Sequence, residues 1–140
     1  MPIGITDTDG GLGNHIVGSG HITGKEYLAA MRAHLTQDAA SFSRYRYSLF
    51  DFKEMAEIQI SNAEIEEIVH LCWEAAKVNP NPLVAIVAES DVLFGLARMY
   101  EALISGTDWE VMVFRTTQEA ENWIHARAKE KFGLDDLTMV

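Results

Sequence analysis

Apolar positions recur along this chain at two spacings, and the switch between them marks out its elements. After Ile65, residues Ile68, Val69, Cys72, Trp73 and Ala76 follow at three- and four-residue steps, which sets them on one face of a helix. Ser61-Asn62-Ala63-Glu64 just before them is a capping box: the serine oxygen accepts from the amide three residues on, and the glutamate reaches back. Asn79-Pro80-Asn81-Pro82 stops this helix, because a proline denies helical backbone to the residue before it. The same device opens two more helices. Thr23-Gly24-Lys25-Glu26 precedes Leu28, Met31 and Leu35 in a helix expected to reach Gln37. Thr116-Thr117-Gln118-Glu119 precedes Ala120, Trp123, Ile124 and Ala128, with Gly133 as the stop and a short acidic tail beyond.

Between the helices the spacing changes. Ile3–Thr8 and His15–Ile22 flank Asp9-Gly10-Gly11-Leu12-Gly13-Asn14, whose turn chemistry predicts a hairpin. Tyr45–Phe52 and Pro82–Ser90 are nearly continuous apolar runs, as strands covered on both faces are, and Trp109–Phe114 reads as the last strand. The predicted order is ββαβαβαβα. Alternating units of this length require parallel strands joined by crossovers, so the expectation is one α/β domain over residues 1–140, a mixed sheet of about five strands with an N-terminal hairpin and four helices.

One helix departs from the amphipathic pattern. Between Val92 and Ile104, residues Leu93, Phe94, Leu96, Ala97, Met99, Tyr100, Leu103 and Ile104 cannot all face one sheet, so about half of that surface must meet something else. A neighbouring helix, a protein partner or second copy, and an apolar ligand are the three candidates. Phe94, Met99 and Tyr100 are the contact residues expected for the last two.

Charge narrows the partners. Eleven Lys and Arg against twenty-one Asp and Glu leave a net charge of −10, which repels phosphate backbones and disfavours nucleic acid. No apolar run approaches the roughly 20 residues that span a bilayer, and the start of the chain lacks the pattern of a secretory signal, so a cytoplasmic protein is expected. Cys72, the single cysteine, lies in an apolar stripe and is expected as a buried thiol. His15, His21, His34, His70 and His125 show no metal-ligand spacing, so no metal or cofactor is expected.

Candidate chemistry is sparse. Ligands of open parallel sheets bind at the carboxyl ends of the strands, and those ends here carry Asp51, Asp91 and Arg115 as a polar rim. Gly18-Ser19-Gly20 falls in a predicted hairpin strand and lacks the nucleophile-elbow pattern, so no enzymatic activity is expected.

The strand "YSLFDFKEM" running into "ISNAEIEEI", the strand "PLVAIVAES", the helix segment "FGLARMYEAL" and "FRTTQEAENWI" together resemble the SpoIIAA-like group of STAS-type domains, which also carries SEC14-like names. The resemblance spans nearly the whole chain through its element order. It implies a non-enzymatic regulatory or protein-interaction module; the SEC14-like name implies, alternatively, a binder of a small apolar or lipid-like molecule beside the helix 92–104. Family members that antagonise anti-sigma factors carry an Asp-Ser-Ser-Gly motif whose second serine is phosphorylated. The matching stretch here is Gln59-Ile60-Ser61-Asn62, which leaves Ser61 as the candidate phosphorylation site. The other three motif residues differ, and Glu64, Glu66 and Glu67 in the first helical turns would repel a phosphate. The expectation is a domain without a working phospho-switch.

Overall fold

The computed structural model describes residues 2–140. Strands β1 (Ile3–Thr8) and β2 (Gly13–Thr23) form the predicted hairpin, joined through a 3-10 turn at Asp9–Gly11. Helix α1 (Gly24–Leu35) and a four-residue helix α2 (Ala39–Phe42) lead to β3 (Tyr47–Gln59). Then follow α3 (Asn62–Val78), β4 (Leu83–Val87), α4 (Asp91–Leu103), β5 (Glu110–Phe114) and α5 (Thr117–Phe132). The short α2, capped by the Asp38 side chain, makes five helices where four are expected. Its length is below what apolar periodicity can register.

The five strands lie side by side in chain order, β1 antiparallel to β2 and every later pair parallel. Crossovers of one hand that each advance by one strand carry their helices to the same face. Accordingly α1, α3 and α4 share one core with Ile16, Phe50, Val84 and Ile86, while α5 covers Tyr47, Leu49, Leu83, Ala85 and Val87 on the opposite face. The alternation of side chains along β3 and β4 divides each strand between the two cores.

The segment after Gly133 is not a free acidic tail. Leu137 and Met139 are buried in the α5-side core, and the Asp9 carboxylate accepts from the backbone N–H of Thr138 at 2.7 Å and of Met139 at 3.0 Å. The hydroxyl of Tyr47 donates to the same carboxylate. These bonds hold the Asp9 carboxyl below its ordinary range, although partial burial pushes the other way.

Strand β3 runs seven residues past the predicted end at Phe52, to Gln59. Its partner is β2 alone beyond Asp51, where pairing with β4 stops at Val87. The register between β2 and β3 shifts twice, between Val17 and Ser19 and between Gly20 and His21, and each shift gives β3 one extra residue. Gly20 takes a positive φ of 68° at the second of them, a backbone state that glycine adopts without strain. The result is a two-stranded ribbon projecting beyond the rest of the sheet.

Candidate functional site

The projecting ribbon builds the site. Phe50, Phe52, Met55 and Ile58 are spaced by two, three and three residues, so a regular strand could not hold them on one face. The two extra residues restore the phase, and all four join the core of α1, α3 and α4. The ribbon thus presents an apolar inner face with no strand of β4 or β5 beside it.

Helices α3 and α4 stand against this face and are held together at one end. The Cys72 thiol lies 2.8 Å from the Tyr100 hydroxyl, and the Trp73 ring lies so close to Gly106 that any side chain there would collide with it. Toward their N-terminal turns the two helices leave a cavity of about 70 Å³ that opens to solvent. Phe52, Met55, Ile58 and Ile60 supply its ribbon wall, Ile65 and Ile68 the α3 wall, and Leu93, Leu96, Ala97, Met99 and Tyr100 the α4 wall. Ile86 of β4 and Tyr27 of α1 complete the lining. None of these side chains carries a charge.

The breadth of apolar surface on α4 therefore has three destinations. Leu93 and Ala97 are buried against the sheet, Leu96 and Tyr100 turn to the cavity, and Val92, Met99 and Leu103 remain exposed, at 81%, 41% and 45%. Of the three predicted contact residues, Met99 and Tyr100 line the cavity. Phe94 does not: its ring lies under the Arg115 guanidinium at 4.0 Å, outside the cavity lining.

Two residues of the lining carry polar atoms. Tyr27 and Tyr100 sit in the same neighbourhood as Cys72, and burial, foremost, raises the pKa of all three groups, with the thiol pushed up to about 11. Each therefore stays protonated and neutral near pH 7. A thiol held in that state is a weak nucleophile, in keeping with the buried thiol expected for Cys72. Tyr100 also lines a second, smaller void together with His34, Phe42, Tyr45, Cys72 and Trp109, so its ring stands between the two spaces.

The predicted polar rim separates into two groups. Arg115 donates to the Glu89 carbonyl at 2.9 Å and to Asp91 at 2.8 Å, which joins the ends of β4 and β5 to the start of α4. Asp51 belongs elsewhere. Buried at 4% exposure, it accepts from Lys53 Nζ at 2.7 Å, and His15 Nε2 lies 3.6 Å away. Lys53 in turn approaches Thr117 at the start of α5. Asp51 and Lys53 thus pair across the strand end, while His15 Nε2, buried beside them, makes no hydrogen bond among the described residues.

Ser61 is the N-cap of α3 in a complete capping box. Its Oγ accepts from the Glu64 amide at 3.2 Å and donates to Glu64 Oε1 at 3.0 Å, while its own amide donates to that oxygen at 2.9 Å. Thr23 and Glu26 form the same reciprocal pair at α1. At α5 the box is incomplete: Thr116 accepts from the Glu119 amide, but the glutamate returns only to the Thr116 hydroxyl.

Sequence reasoning reached the α4 side of the cavity and missed the rest. Tyr27 and the ribbon residues Met55, Ile58 and Ile60 carried a signal only in their apolar character, because the shifted register hides the strand period. Among the described residues no three His, Cys, Asp or Glu side chains converge as a metal site would require, and no helix is long and apolar enough to cross a membrane.

No family model and no curated protein matches the chain. Among solved structures it is similar to the crystal structure of an uncharacterized protein of the DUF3478 family, with a SpoIIAA-like fold, from Shewanella loihica PV-4. The TM-score is 0.55 at 18% identity, over 86% of this chain and 90% of that one. At that identity the likeness is one of fold. The chain is an α/β domain of SpoIIAA-like fold, as the resemblance in its element order implied.

Proposed function

We propose that this domain is a non-enzymatic binding module that takes a small apolar molecule into the cavity between α3, α4 and the β2–β3 ribbon. The observation that carries this reading is the uncharged lining: thirteen residues surround the space and none is Asp, Glu, Lys, Arg or His. Pockets that hold small ligands are concave, mostly apolar and furnished with few polar groups. A non-enzymatic role fits the same lining, since its phenols and the adjacent thiol are shifted away from neutral pH and are poor proton carriers there.

Two measurements test the reading. Native mass spectrometry of protein purified from cells is expected to show a bound mass that denaturation releases. Ala97→Phe, which fills the cavity from the α4 wall, is expected to abolish uptake of an uncharged lipophilic fluorophore, and Leu96→Trp at the mouth serves where the first variant folds poorly. A protein that never carries a mass, and fluorophore uptake unchanged in both variants, would overturn it.

A second reading has its own observation. Met99 and Leu103 on α4 and Trp73 on α3, 40% exposed, present apolar surface outward. This face suits a protein partner or self-association. Met99→Asp is expected to alter the sedimentation profile if the face is an interface between copies, and an unchanged monomer counts against that form of the reading.

A further inference from the structure

The cavity is uniform in charge but not in polarity, and the difference defines what it accepts. Among its side chains only two carry a hydroxyl. Tyr27 and Tyr100 supply the hydroxyls of the lining, and the Tyr100 hydroxyl is already engaged by Cys72 Sγ at 2.8 Å. Tyr27 is 9% exposed, its ring packs edge-on to Phe52 at 6.0 Å, and its hydroxyl has no hydrogen-bond partner among the described residues. A hydroxyl with no partner inside the protein is freer to meet an acceptor on a ligand than one that already has a protein partner. The rest of the wall is aliphatic or aromatic.

A charged ligand head would fare differently. No lining side chain could pair with a carboxylate or an ammonium, and an unpaired charge drawn from water into such a setting is strongly disfavoured. The net charge of −10 adds a long-range repulsion against anions. An ammonium would be attracted to the protein as a whole and still find no carboxylate in the lining.

We propose that the occupant of this cavity is an uncharged lipophile bearing a hydroxyl or carbonyl oxygen, which accepts a hydrogen bond from Tyr27 beside the Tyr100–Cys72 pair. This names the ligand class of the site proposed above and rests on that reading. Fatty acids in their ionised form and cationic amphiphiles are thereby excluded from it. The neutral state of both phenols, held by burial, keeps them as donors across the physiological pH range.

The test compares n-octanol, octanoate and octylammonium by calorimetric titration of the full chain at neutral pH, with Tyr27→Phe and Tyr100→Phe as the variants. Octanol is expected to bind at least about ten-fold more tightly than either ion, and Tyr27→Phe to weaken octanol by about five- to ten-fold, the worth of one hydrogen bond. Tyr100→Phe is expected to have the smaller effect, because its hydroxyl is already committed to Cys72. Octanoate or octylammonium binding as well as octanol would overturn the inference while leaving an apolar-ligand site in place. So would octanol binding that Tyr27→Phe leaves unchanged. Should none of the three bind, the apolar-ligand reading fails, and this inference with it. The octanol-to-ion ratio in the unmodified protein tests the exclusion of charged heads even if a variant folds poorly.

Discussion

At the scale of single residues, two polar side chains define what the sequence does with its helix ends and its core. Ser61 satisfies one backbone donor of α3 and orders Glu64 to satisfy another, so its hydroxyl is already engaged on both sides. Ser61→Ala is expected to cost about 1 kcal/mol in chemical denaturation, the usual worth of an N-cap. Ser61→Asp retains a capping oxygen and is expected to cost less. A phosphate on Ser61 would set its charge where the Glu64 carboxylate now lies 3.0 Å from Oγ, so phosphorylation is expected to break the box. His34 is the second case. It is 6% exposed, packed near Phe42 and Tyr45, and burial lowers its pKa from 6.5 to about 4. The folded protein holds it neutral, whereas the unfolded chain takes up a proton as the pH falls through 6.5. Stability is therefore fullest above pH 6.5 and is lost between there and about pH 4, by up to roughly 3 kcal/mol from this group. Denaturation midpoints of His34→Leu are expected to fall less steeply than those of the unmodified protein across that window; parallel slopes would contradict the assignment.

At the scale of elements, the projecting β2–β3 ribbon and the docked C-terminal segment are the features that position the site and close the opposite face. Asp9 accepts three hydrogen bonds from Thr138 and Met139, and Val140 accepts from the Asp9 amide. Asp9→Asn keeps a residue that tolerates the positive φ of 50° found there but loses the charge. Amide exchange at Thr138 and Met139 is expected to accelerate in that variant with the sheet amides unaffected; equal protection in both proteins would show that Leu137 and Met139 hold the segment by burial alone. Both features lay beyond what apolar periodicity could reveal. The ribbon was hidden because two extra residues break the period of two that identifies a strand, and the docked segment because Asp135 and Asp136 interrupt its apolar residues. The helices α1, α3 and α5 were legible from their caps, which are local chemistry. The hairpin and β4 were legible from turn residues and from a run buried on both faces. The breadth of apolar surface on α4 was legible too, but which neighbour each residue meets depends on the angle between α3 and α4, which no local pattern encodes.

At the scale of the whole molecule, strands laid down in chain order put the crossover helices α1, α3 and α4 on one face of the sheet and α5 on the other, and the ribbon extends past the face with α1, α3 and α4. The gap between α3 and α4 opens against that extension, at the carboxyl end of the strands where α/β sheets hold ligands. The polar strand ends beside it are engaged in Arg115–Asp91 and Asp51–Lys53 pairs. If a chain enters it, each added methylene is expected to tighten binding by about four-fold, from roughly 0.8 kcal/mol per group, until the space is filled. The most direct test uses the isoleucines, because Ile58, Ile60, Ile65, Ile68 and Ile86 line the cavity while Ile3 and Ile124 lie in other parts of the structure. In a methyl NMR titration of isoleucine-labelled protein with n-octanol, saturable shifts are predicted at those five cavity methyls, with Ile3 and Ile124 unmoved. Shifts spread evenly over all isoleucines, or none at the cavity five, would contradict the account.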